Sequence, residues 1–155
     1  MKTFKDNAGR TWTVTVNVDA IKRVRTLLGV NILEVVDGKL IERLASDPVL
    51  LCDVLYALVK PEADSQKVAD EDFGRAMAGD AIELATTALL EELVDFFPLG
   101  KRRLLQKALA KLKDWESKAM SVAEKKLDSP ELEAQFENAL KSIGGSSGNS
   151  PGSSG

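Results

Sequence analysis

A helix that is apolar on almost every side can only lie at the centre of a fold, and residues 47–59 describe one. Asp47 followed by Pro48 supplies a cap and a favoured first helical residue. Val49, Leu50, Leu51, Val54, Leu55, Leu58 and Val59 then nearly encircle the helix they open. The rest of a 155-residue chain has to arrange itself around this segment. Aromatic residues are 5% of the chain against 44% apolar overall, so the core is expected to be aliphatic. Pro61 is expected to end the central helix, leaving residues 61–69 as a polar loop.

Upstream, residues 11–18 alternate strictly. Trp12, Val14, Val16 and Val18 share one face, while the threonines and Asn17 share the other, the pattern of a half-buried antiparallel strand. Phe4 lies in a shorter run before it, and Asn7-Ala8-Gly9 between them is turn chemistry, which predicts an N-terminal β-hairpin. Asp19 is placed to cap a helix carrying Ile21, Val24, Leu27 and Leu28, with Gly29 as its stop. Residues 32–36 are apolar without a decisive period. Leu40, Ile41 and Leu44 predict a short amphipathic helix, and Asp70 opens another that Gly79 closes. Asp80-Ala81-Ile82-Glu83 has capping-box spacing and starts a helix running to Pro98.

Composition changes beyond Pro98. Residues 101–127 read as one helix about 40 Å long. Leu105, Ala108, Leu112, Trp115, Ala119 and Val122 recur along it at steps of three and four, a heptad-like seam. Ser129-Pro130 caps a last, short helix with Leu132, Phe136, Leu140 and Ile143 on one face. From 144 to 155 only Gly, Ser, Asn and Pro occur, a disordered tail with nothing to bury. The expected fold is therefore α+β and mostly helical. A hairpin and helical core domain span 1–98, a long amphipathic helix and a short C-terminal helix form an extension over 99–143, and the tail is 144–155.

The chain contains no His. Ser-His-Asp triads, Cys-His pairs, His proton shuttles and His zinc sites are thereby excluded. Cys52 sits in the apolar stretch 49–55 and reads as a buried, inert thiol; standing alone, it permits no intrachain disulfide. A reducing, cytoplasmic setting is expected, since the first residues lack a signal-peptide apolar stretch and no run approaches a membrane span. Carboxylate groups such as Glu91-Glu92 and Asp70-Glu71-Asp72 fall at helix starts or on polar faces, and Asp70-x-Asp72 lacks the continuation of a calcium loop. No P-loop or dinucleotide fingerprint occurs. The chain is expected to be a binding protein, not an enzyme, with no cofactor or metal.

The net charge of −3 gives no case for nucleic acid or an anionic membrane as partner of the whole chain. One segment departs from this. Lys101, Arg102, Arg103, Lys107, Lys111 and Lys113 bring six positive charges and no acid to residues 101–113, after a segment, 62–95, that is strongly acidic. The segment reads either as a nucleic-acid-binding helix or as a solvated face complementing the acidic segment or a partner. The second is favoured, because no stacking aromatics interleave with the basic residues. Trp115 is the best interaction candidate, Trp being enriched at binding hot spots. The candidate partner-binding residues are Leu105, Leu112, Trp115 and Val122 on the seam and Lys101, Arg102 and Arg103 beside it. Such a seam is also expected to self-associate.

Three stretches carry a further likeness. They are Phe4-Lys5-Asp6-Asn7-Ala8-Gly9-Arg10-Thr11-Trp12, Leu44-Ala45-Ser46-Asp47-Pro48-Val49-Leu50-Leu51-Cys52-Asp53-Val54-Leu55, and Asp72-Phe73-Gly74-Arg75-Ala76-Met77-Ala78-Gly79-Asp80 with its continuation to Asp95-Phe96-Phe97. Through them, residues 1–98 resemble the tail assembly chaperones of tailed bacteriophages and prophages. The resemblance rests on packing and capping patterns and carries over no catalytic residue. It implies a non-catalytic protein of the host-cell cytoplasm that keeps the long helical tape-measure protein soluble and helps recruit tail tube subunits. It does not extend to residues 99–155.

Overall fold

A computed structural model describes residues 1–148 of the chain. Strands β1 (Lys2–Lys5) and β2 (Thr11–Val14) pair antiparallel, with Phe4 opposite Trp12. Seven α-helices follow among the described residues: α1 (Val18–Leu28), α2 (Lys39–Ser46), α3 (Pro48–Gln66), α4 (Asp70–Arg75), α5 (Asp80–Phe96), α6 (Leu99–Leu127) and α7 (Pro130–Gly148). Residues Ile32–Asp37, the apolar run without a clear period, form a 3-10 helix. The mostly helical α+β architecture with its N-terminal hairpin is as the sequence predicts.

Two compact units divide the chain, the first running from Met1 to Leu109 and the second from Ala110 onward. In the first, α3 is the hub: β2, α1, α2, α4 and α5 all pack on it, and β1 lies on α5. Leu51, Val54, Leu55, Leu58 and Val59 of α3 are buried, as an all-round apolar helix requires. The aliphatic core also contains one aromatic row. The ring of Phe73 lies 5.4 Å from Trp12, edge to face, and 5.4 Å from Tyr56.

Asp47 caps α3 as expected, accepting from the amides of Val49 and Leu50. Pro61, however, does not end the helix, which continues to Gln66. A proline leaves the carbonyl four residues back without its helical donor. Here that carbonyl, Ala57, accepts from Arg23 of α1 at 3.1 Å, and the same guanidinium nitrogen reaches Leu58 O at 3.0 Å. Asp19 holds Arg23 in place at 2.9 Å. Arg23 thus supplies what Pro61 removes. Arg23→Ala is expected to cost about 1–2 kcal/mol by stranding the Ala57 carbonyl. Restoring a backbone donor with Pro61→Ala should reduce that cost. A double-mutant cycle in urea measures the coupling, and strict additivity of the two changes would refute the link.

Three more expectations are corrected by tertiary context. Asn17, not Asp19, caps α1, accepting from Ala20 N, which frees Asp19 for Arg23. β2 stops at Val14, and Val18 is exposed as the first residue of α1. The capping box at Asp80 does not form: Gly79 is the N-cap at φ +59°, where L side chains are strained, and Asp80 lies inside the first turn. Backbone amides on and just after β2 are covered by carboxylates from the helices, with Thr13 N donating to Glu62 at 3.0 Å and Val16 N to Glu92 at 3.3 Å. At the other end of the chain, α7 extends to Gly148, into the Gly/Ser segment expected to be a disordered tail. The remainder of that segment, 149–155, lies outside the described residues.

Candidate partner-binding surface

The long helix α6 begins directly after Pro98, and its first turn is tied to the end of α5. Arg102 N donates to Pro98 O at 2.8 Å. The Arg102 guanidinium donates to Phe97 O at 3.2 Å and to Asp95 O at 3.3 Å. It therefore satisfies carbonyls that the helix end leaves open. Of the predicted basic site residues, Arg102 is thereby engaged in structure, half-buried. Lys101 and Arg103 are exposed, as are Lys107, Lys111 and Lys113, and none of these five forms an ion pair among the described residues.

The predicted seam divides. Leu105 is only 1% exposed and belongs to the core, so it is not part of an open binding stripe. For the same reason the first compact unit reaches Leu109, past the boundary expected at Pro98. Leu112 is half-buried, and from there on the seam is open. Trp115 is 73% exposed, and Val122 and Met120 are also exposed. On α7, Phe136, Leu140 and Ile143 are exposed as well. Each helix of the second unit therefore carries an uncovered apolar stripe at helical spacing, beside polar neighbours such as Asp114 and Lys118, which pair with each other at 3.1 Å. Exposed apolar surface of this kind marks interaction sites. The turn between the two helices is built as the sequence predicts: Ser129 Oγ accepts from Leu132 N at 3.3 Å and donates to Lys126 O at 2.7 Å.

Cys52 is half-buried, and burial, reinforced by Asp53 and Asp70, pushes its thiol pKa up. That keeps it protonated and a poor nucleophile at neutral pH. Burial also raises the Asp53 carboxyl, with Asp70 and Asp47 adding to the effect. Two open surface depressions, of about 270 and 240 Å³, are lined by charged side chains that are already engaged. In the first, Arg10 pairs with Asp6 and Arg75 with Asp72; in the second, Arg23 and Glu62 bond the backbone. Among the described residues no group of His, Cys, Asp or Glu is arranged to hold a metal ion, and no helix is long and apolar enough to cross a membrane.

Sequence reading missed the role of Asp6. It is buried, and its carboxylate accepts from Trp12 Nε1 at 2.8 Å and from the amides of Ala8 and Arg10, both at 2.9 Å. The signal that pointed to it was an Asp opening the Asp-Asn-Ala-Gly turn, where its side chain bonds the backbone two residues on.

No family model, curated protein or solved structure matches the chain.

Proposed function

We propose that this chain is a non-catalytic assembly chaperone for a long helical client with an exposed apolar stripe. The observation that carries the reading is the open face of α6, where Leu112, Trp115 and Val122 follow helical spacing with Trp115 largely in solvent. A client helix with its own apolar stripe is best covered by helix-on-helix packing against such a face. The likeness of residues 1–98 to phage tail assembly chaperones supplies the identity of the client, a tape-measure protein, and of the subunits recruited to it, those of the tail tube. Work in the cytoplasm of a bacterial host follows from the same reading.

The test is co-expression with a tape-measure segment. Leu112→Ser combined with Trp115→Ser is expected to lower the soluble, co-purifying client about tenfold or more, the loss expected when hot-spot residues are removed. Circular dichroism should show the first unit still folded. Undiminished co-purification by the folded variant would place the client elsewhere.

The five exposed cations of residues 101–113 favour a second reading, a nucleic-acid-binding adaptor. Phosphate neutralisation gives a log–log salt slope of about −0.9 per contact on duplex DNA. Under the chaperone reading, gel shifts at physiological salt should show no duplex binding, and Lys101→Glu with Arg103→Glu should leave client capture intact. Tight low-salt binding that moderate salt and these changes abolish would establish the adaptor instead. Arg102 is left in place in this test, because its loss would uncap α5.

A further inference from the structure

We propose that the open faces of α6 and α7 cover each other between two copies of this chain, α6 of each copy lying antiparallel on α7 of the other. The two-fold axis passes beside the turn, at the level of Leu127 and Asp128. The inference does not depend on the client reading and concerns the purified chain alone, in which the second copy occupies the face of α6 that a client helix would have to take from it.

Three observations lead to it. First, the apolar positions of the two helices lie at matching distances from the turn that joins them: Leu112, Trp115 and Ala119 on one side, Ile143, Leu140 and Phe136 on the other. Both stripes are uncovered beyond the half-buried Leu112.

Second, the seam is complementary to itself in one orientation. A two-fold axis beside the α6–α7 turn lays α6 along the other copy's α7, running in the opposite direction. Residues equally far from the axis then meet: Leu112 with Ile143, Trp115 with Leu140, and Ala119 with Phe136. Apolar meets apolar, and the small Ala119 faces the bulky Phe136, as close packing requires. The polar positions gather near the axis. Val122 meets the methylene stem of Glu133, and Lys126 meets Ser129, one layer from the Glu133 carboxylate of the same second copy. A parallel pair would instead place Lys126 on Lys126 and Glu133 on Glu133, which like-charge repulsion disfavours.

Third, the surface is large enough. The five large seam residues Trp115, Val122, Phe136, Leu140 and Ile143 are each more than half exposed. Together they offer on the order of 600 Å² per copy before flanking side chains are added. A standard interface buries about 800 Å² per partner. The arrangement brings Glu116 towards Glu137 of the second copy, but only at the solvated rim, where salt screens the repulsion.

The experiment uses the full-length chain. Sedimentation velocity should show a dimer. Ala119→Phe and Phe136→Ala should each weaken it about tenfold or more, through overpacking and a cavity repeated at two symmetry-related layers. Both changes in one chain should restore it, because the large and the small side chain then simply trade places across the same layer. Disulfide capture provides the second measurement, in a Cys52→Ser background. Chains carrying only Ala119→Cys, mixed with tagged chains carrying only Phe136→Cys, should yield the mixed covalent dimer. A monomer at all concentrations overturns the proposal. So do same-position covalent dimers, which mean a parallel pair. A cross-link formed only when both cysteines share one chain overturns it too, since α7 then folds back on its own α6.

Discussion

Asp6→Ala is expected to lower stability by about 3–4 kcal/mol, a loss on the scale of a core truncation although it removes only a carboxylate. Three donors lose their acceptor at once: Trp12 Nε1 and the amides of Ala8 and Arg10. Trp12 is fully buried, so water cannot replace the carboxylate at the indole nitrogen. Each buried donor left unpaired costs about 1–3 kcal/mol. The Arg10 guanidinium, 3.3 Å from the same carboxylate, also loses its ion-pair partner. Asp6→Asn should recover only part of the loss. Its oxygen can still accept from the turn amides, but its amino group then faces the indole N–H, donor against donor. Urea denaturation followed by Trp12 fluorescence measures both, with Trp115→Ala removing the only other tryptophan. For a domain of this size the midpoint of thermal unfolding should fall on the order of 15 °C. A loss under about 1 kcal/mol, the ordinary net worth of one hydrogen bond, would show that the apolar pairing of Phe4 with Trp12, and not Asp6, sets the hairpin.

The second large effect separates two residues that look alike in the sequence. Leu105→Ala is expected to destabilise the first unit by about 3 kcal/mol, the cost of a cavity at a fully buried leucine. Trp115→Ala, further along the same helix, should leave that stability within about 0.5 kcal/mol, as exposed substitutions do. Its effect should appear in association instead, in client capture and in dimerisation. Urea denaturation of the two variants, read by circular dichroism, tests where along α6 the core ends. Equal destabilisation by both would mean that the open seam is core, and the binding surface assigned to it would have to be abandoned.

Much of the local architecture was legible beforehand because it depends on residues close together in the chain. The Asn7-Ala8-Gly9 turn, the Asp47-Pro48 start of α3 and the Ser129-Pro130 start of α7 are settled by side chains bonding amides two or three residues away. The central place of α3 was legible for a different reason: a helix apolar on all sides has no stable position except one surrounded by other elements. The candidate surface was legible only as a period. Steps of three and four identify the seam from 105 to 122, and Trp115 within it, without distinguishing its buried end from its open one.

What the sequence by itself determined, then, is where apolar faces lie and how helices and turns begin. Tertiary structure alone decided what covers those faces and which interrupted bonds are made good. Pro61 reads as a helix stop until Arg23 arrives from α1 to take the Ala57 carbonyl. Arg102 reads as part of a basic patch until it closes the end of α5. Leu105 and Trp115 share one heptad pattern, yet one is sealed in the core and the other stands in solvent. The physical reason is common to all three: periodicity and propensity are properties of neighbours along the chain, whereas burial and hydrogen-bond satisfaction depend on groups that only folding brings together.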